Sequence, residues 1–347
     1  MKKTRKKINN NVKLSNKLKS KRNYGKKKEQ ITKCKRKVLV FDFDETLGYF
    51  VEFGILWDVM LEFIKKNKLE YKEKLETTKK SKIITSEDSV GDSLKENSKK
   101  KDLKEKKLMN TCNTMSLACD KKTEENEQKL FDDLLDLYPE FLRPNIIEML
   151  TYLKIIKKTN RCYGIYVYTN NQAPPLWVKR IIQYMHKQVK CKIIEQIVGA
   201  YKIGNEKVEL CRTTHDKTYN DFLSCTKLDE DTHVCFVDDI YHPEMKNEKV
   251  HYINIKPYTH DLDFDVMITR LIESNILHKI FKNFKMDNKE IYKELMDNMN
   301  KFSHNFTPNN YIKTLSDKEN TSVLIQNLKE YFSQNKDKIK GGKVVKI

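Results

Sequence analysis

Zinc-type cysteine pairs, long apolar runs and linker composition are all missing from this chain of 347 residues. Its eight cysteines stand singly at 34, 112, 119, 162, 191, 211, 225 and 235, with no C-x-x-C pair to suggest a zinc site or a redox dithiol. That scatter reads as reduced, mostly buried thiols rather than a disulfide framework. No stretch approaches the ~20 apolar residues that span a bilayer, and no apolar signal segment opens the chain. The expectation is a soluble intracellular protein, cytoplasmic or nuclear, that engages no membrane. Glycine (9) and proline (7) are scarce, which excludes collagen-like and Gly/Ser-linker architectures.

Acidic residues are also in deficit, 49 against 68 Lys and Arg, for a formal charge of +19. A positive surface steers anions towards it: nucleic acid, acidic protein segments, phosphorylated substrates. Much of the excess lies at one end, where 17 of the first 37 residues are Lys or Arg and Glu29 is the single acid. Residues 1 to 36 therefore read as a disordered basic arm, with KKTRKK and KSKRNYGKKK as candidate nuclear-localisation or nucleic-acid patches. Residues 65 to 129 are a Lys/Glu/Ser/Thr/Asn mixture with too little apolar surface to offset the entropy of ordering it. They read as a charged insertion, disordered or loosely helical.

What is there is a regular alternation of strands and helices. VLVF (38 to 41), GIYVYT (164 to 169) and THVCFV (232 to 237) are apolar and rich in β-branched or aromatic residues, as buried parallel strands are. Helical spacing fills RPNIIEMLTYLKIIKK (143 to 158) and PPLWVKRIIQYMHKQV (174 to 189), and HYINIKPYT (251 to 259) reads as one more strand. The predicted fold is α/β, a Rossmann-like parallel sheet flanked by helices over residues 37 to 260, followed by a helical tail with a flexible end over 261 to 347.

Three polar motifs follow the apolar strands directly. The first, FDFDETL, places Asp42 and Asp44 two residues apart at a strand end, with Phe43 facing the core. Two neighbouring carboxylates repel; a cation or shared proton relieves them and lets one act as nucleophile while the other handles protons. The second, VYTN, puts a Thr169 hydroxyl and the Asn170–Asn171 loop where phosphate oxygens could be held. The third, FVDDIYHPEM, places Asp238 and Asp239 just past a strand, and hard carboxylate oxygens suit Mg2+. Each motif alone has a plain reading, an acidic loop or a turn; their succession at three strand ends is what points to one site.

With FDFDETL at 41 to 47, LRP and its helix at 142 to 153, IYVYTN at 165 to 170, WVKRIIQYM at 177 to 185 and FVDD at 236 to 239, the chain resembles the haloacid dehalogenase superfamily. Within it, the likeness is to the phosphatases of the RNA polymerase II carboxy-terminal domain and their NLI-interacting-factor-like relatives. It covers residues 37 to 260 apart from the insertion. The resemblance implies a Mg2+-dependent phosphatase in which Asp42 is nucleophile and metal ligand. Asp44 would be the acid and base, its carbonyl also binding the metal, and Thr46 would support the nucleophile loop. Thr169 and Asn170 would bind the phosphate, Asp238 and Asp239 would complete the metal site, and a lysine would offset charge on the transferring oxygens. Lys217 is preferred for that role over Lys202 or Lys207, because it precedes a short helical segment upstream of FVDD. No separate folded cap is visible, which favours a phosphorylated protein or peptide as substrate. Two other readings stay open: a phosphatase of nucleic-acid ends or small phosphoesters aided by the basic arm, and an inactive scaffold that binds through it.

Overall fold

The computed structural model describes residues 36–84, 121–281, 287–303, 316–334 and 341–347. The basic arm, apart from Arg36, and residues 85–120 of the insertion lie outside them. The first strand, β1 (Lys37–Phe41), is buried along its whole length. It is followed by α1 (Val51–Ile84), α2 (Lys121–Leu137), α3 (Ile146–Lys158), β2 (Gly164–Tyr168), α4 (Pro175–Gln188) and β3 (Ile194–Val198). A short hairpin, β4 (Lys202–Ile203) and β5 (Glu206–Lys207), leads to α5 (Tyr219–Thr226) and β6 (His233–Asp238). The rest comprises β7 (Val250–Asn254), α6 (Phe264–Glu273), α7 (Ile276–Ile280), α8 (Asn288–Ser303), α9 (Ser316–Ser333) and β8 (Val344–Lys346).

Six strands form one parallel sheet in the order β3-β2-β1-β6-β7-β8. The chain builds outward from β1 through β2 to β3, then returns to place β6 on the other side of β1. That reversal opens a crevice between the carboxyl ends of β1 and β6, the place where ligands bind in open α/β sheets. Alternate residues of β1 face opposite ways: Leu39 and Phe41 join a large apolar cluster with α1 to α4 and the C-terminal helices, while Val38 and Val40 join a small one closed by α5.

Four expectations change. The insertion is helical at both ends: α1 runs on to Ile84 and α2 begins at Lys121. Phe53, Leu56, Trp57, Met60 and Phe63 bury the first half of α1, and once a helix is nucleated by packing it propagates into polar sequence. Residues 124 to 129 are likewise held against α4, with Glu124 paired to Lys179 and Glu127 to Arg180. The strand read over 251 to 259 is shorter, Val250–Asn254. The end of the tail is a strand, β8, which extends the sheet beyond β7. Finally, Cys211 and Cys225 are joined by a disulfide. Fourteen positions apart, they form no sequence motif; the turn into α5 brings their Cα atoms to 5.0 Å. Among the described residues no helix is long and apolar enough to cross a membrane.

Candidate active site

The D-x-D-x-T segment leaves β1 as a tight loop. Asp42 N donates to Val237 O of β6 (2.8 Å), so the loop starts in register with the neighbouring strand. Glu45 takes a left-handed conformation, φ 56°, and its amide donates to Gly48 O at 2.8 Å. A side chain at Gly48 would meet Phe141 O at 2.4 Å, which explains the glycine. Phe43 is fully buried and stacks on Phe50 at 5.4 Å, anchoring the loop from beneath. Arg143, from the LRP segment, is 1% exposed and donates to the carbonyls of Thr46 (2.7 Å), Glu45 and Lys256 (2.8 Å). Sequence reasoning gave that arginine no role; it holds the Asp42–Thr46 loop in shape.

Lys217 is 2% exposed, and its ammonium donates both to Asp42 Oδ1 and to Asp238 Oδ2 (2.7 Å). Lys202 and Lys207 stand elsewhere, on the hairpin over the Tyr201 ring. Thr46 Oγ1 donates to Asp239 Oδ1 (2.8 Å) and lies 3.2 Å from the Asp239 amide. One oxygen each of Asp42, Asp238 and Asp239 lies within 4.8 Å of the others. The structure therefore brings Asp42, Thr46, Lys217, Asp238 and Asp239 into one cluster at the β1–β6 crevice.

Asp44 stands beside that group, not in it. Both of its carboxylate oxygens accept from Asn171 Nδ2 at 3.0 Å, and Asn171 Oδ1 accepts from Ala173 N at 2.9 Å, which fixes which way the amide points. Thr169 is buried beneath the same turn and accepts from the Asn171 amide at 3.0 Å. Asn170, read from the sequence as a phosphate-binding residue, accepts at its carbonyl from Gln172 Nε2.

Burial and crowding raise several carboxyl pKa values. Asp238 is pushed up to about 8, by burial first and by Asp42, against the pull of Lys217. Asp239 is raised to about 6 by burial and by Asp42. Asp44 is raised to about 6 by burial and by Asp42, with the Asn171 hydrogen bond opposing. Burial alone would lower the Lys217 ammonium, but Asp42 and Asp238 outweigh it and the net shift is upward. His242 lies 3.6 Å from Asp238 and is lowered to about 4, by burial and then by Lys217, so it is neutral at physiological pH. Asp42, Asp238 and Asp239, with Lys217 between the first two, form a hard-oxygen donor set that could hold a metal ion.

A second buried arginine lies under the other half of the site. Arg212, fully buried, donates to the carbonyls of Thr169 (3.1 Å), Gly199 (2.8 Å), His215 (2.9 Å) and Asp216 (3.2 Å). Its guanidinium lies 4.7 Å over the Tyr168 ring, and Tyr168 Oη accepts from the Thr218 amide at 3.2 Å. Thr218 in turn caps α5 by accepting from Asp221 N at 3.0 Å. Lys217 is therefore delivered by a polar lattice. A cleft of about 520 Å³ opens from Asp44 and Asn171, walled by Tyr49, Trp57, Pro174 and Trp177. Its charged lining is mainly acidic, with Glu45, Asp58 and Glu127 as well as Asp44 against Arg180.

Fold and site together define an α/β protein whose sheet crevice holds a carboxylate and lysine cluster. No family model, curated protein or solved structure matches the chain.

Proposed function

We propose that the protein is a Mg2+-dependent phosphatase of the haloacid dehalogenase type that acts on protein phosphoserine or phosphothreonine. The observation that carries this reading is the Lys217 ammonium held between Asp42 and Asp238, with Asp239 and Thr46 closing the same crevice. In the proposed reaction a carboxylate oxygen of Asp42 attacks phosphorus and the bond to the serine or threonine oxygen breaks. Asp44, whose raised pKa keeps part of it protonated near neutrality, gives its proton to the leaving oxygen. The same carboxylate then takes a proton from water, which releases inorganic phosphate from the aspartyl-phosphate and restores Asp42. Lys217 and the Thr169 loop stabilise charge on the transferring oxygens. Asp42, Asp238 and Asp239, with the Asp44 carbonyl, would hold Mg2+, which supplies the positive charge that lets these acids and a phosphate coexist.

The cleft beside Asp44 supports a peptide rather than a nucleic-acid substrate. Its aromatic walls suit side chains flanking a phosphorylated residue, and its acidic lining repels a polyanion. The test compares a phosphoserine peptide with a 5′-phosphorylated oligonucleotide across a range of salt. Faster hydrolysis of the peptide with little salt dependence is expected. Preferential hydrolysis of the oligonucleotide, falling steeply as salt rises, would instead assign the site to nucleic-acid ends and the basic arm to holding them.

A further inference from the structure

The segment that delivers Lys217 is closed at its base by a covalent bond. Cys211 and Cys225 flank Arg212, Thr213, Lys217 and Thr218, so the disulfide encircles the residues that seat the lysine. On one side the bridge adjoins Arg212, which binds four carbonyls from three loops. On the other it fixes the last turn of α5, whose first turn is capped by Thr218. Thr213 donates from both its amide (2.9 Å) and its hydroxyl (3.0 Å) to Asp221 within the same loop. Few apolar groups cover this flank of the sheet: the smaller cluster and α5 do the work that many helices do on the other face.

The pair is also placed to change state. Cys211 is half-buried, whereas Cys225 is 7% exposed. Glu209 Oε1 lies 3.1 Å from Cys211 Sγ, and the other Glu209 oxygen accepts from Gly199 N at 3.2 Å. A reduced Cys211 therefore has an acceptor already positioned for its S–H.

We propose that Cys211 and Cys225 form a redox-controlled clasp on the lysine loop, so that opening the disulfide unseats Lys217 and slows the reaction at the carboxylate site. The effect on turnover rests on the phosphatase reading; the effect on the loop does not. In the opening step the thiolate of a small reductant attacks Cys211 Sγ, the S–S bond breaks, and Cys225 departs as a thiolate that takes a proton from water. A second reductant thiolate attacks the mixed disulfide and frees Cys211 as a thiol. The reductant loses two electrons and ends as its own disulfide. Closure needs a two-electron oxidant such as a hydroperoxide: one cysteine becomes a sulfenic acid, which the other condenses with the loss of water.

The experiment uses the full chain with excess Mg2+, treated with dithiothreitol or with hydrogen peroxide. It reads aryl phosphate hydrolysis and amide hydrogen exchange across residues 208 to 218 on the same samples. Reduction is expected to lower kcat about 10²-fold, the scale of effect that displacing a positioned group produces, and to speed exchange in that segment. Peroxide should reverse both, and a Cys211→Ser, Cys225→Ser double variant should stay at the reduced values under either treatment. Equal kcat and equal exchange in the two states would overturn the clasp while leaving the phosphatase reading intact. If neither state turns over, the phosphatase reading fails and exchange decides alone: acceleration on reduction supports the clasp, and no change overturns it.

Discussion

Arg143 and Arg212 perform the same task on opposite flanks of the site and are supported in different ways. Each is buried and donates to backbone carbonyls of loops at the candidate site, and each guanidinium lies over a tyrosine ring, Tyr258 or Tyr168. Arg143 holds the loop of Asp42, Asp44 and Thr46, which Phe43 also pins into the large apolar cluster. Arg212 holds the loop of Lys217, whose other supports are a helix cap, an Asp221 hydrogen-bond set and a disulfide. The acids of the site are thus positioned mainly by packing and the lysine mainly by polar contacts. Packing is close to all-or-none, whereas a polar lattice can be loosened piece by piece.

The comparison is sharpest at Lys217 itself. Lys217→Met should lower kcat for an aryl phosphate about 10³-fold, by analogy with removing one charge-stabilising donor from a buried site. Lys202→Met and Lys207→Met should leave kcat unchanged, since both side chains stand over Tyr201. Steady-state kinetics of the three variants decides this, and a loss shared by the hairpin variants would mean that the lysine has been misassigned.

The next effect separates the two arginines. Arg143 supports Thr46, whose hydroxyl orients Asp239, so Arg143→Met should raise the Mg2+ concentration for half-maximal rate about tenfold, as losing a contact behind a metal ligand does. Arg212→Met should lower kcat by a similar factor and leave the Mg2+ requirement alone. Magnesium titrations of both variants measure this. If the two behave alike, the division of labour is wrong.

The smallest effect is a pH dependence confined to the acid side of the site. With folded pKa values near 6 for Asp44 and Asp239 and near 8 for Asp238, these groups bind protons more tightly folded than unfolded. Their contribution to metal-free stability is whole below the ordinary carboxylate range, about pH 4, and is lost as pH rises through 6 to 8. In the proposed site Mg2+ would bind the ionised acids, so it should raise Tm more at pH 8 than at pH 5.5. Thermal melts with Mg2+ and with chelator test this, and an equal Mg2+ shift at both pH values would count against the shared acid cluster.

Legibility in the sequence followed the same division. β1, β2, β6, α3 and α4 were readable because buried strands and amphipathic helices repeat their apolar residues at fixed periods. The strand-end acids and Thr169 stood out because short polar motifs follow those strands, and Lys217 because it precedes a helix upstream of FVDD; the structure brings Asp42, Asp238, Asp239 and Lys217 together at one crevice, with Asp44 and Asn171 beside them. What packing or topology alone decides was not readable. The polar half of α1 is helical because its first half is buried, and β8 adds to the sheet from the far end of the chain. The Cys211–Cys225 pair and the Arg212 contacts join positions that only the folded loop brings together. Arg143 sat inside a recognised segment, but nothing in its neighbours tells a carbonyl-binding arginine from a surface one.

The most direct test of the central claim is hydrolysis of an aryl phosphate by the wild type and by Asp42→Asn, each with Mg2+ and with chelator. Turnover confined to the wild type with Mg2+, with the variant down about 10⁴-fold or more as expected for loss of a nucleophile, is the predicted result. Equal turnover by Asp42→Asn, or wild-type turnover that survives the chelator, would contradict it.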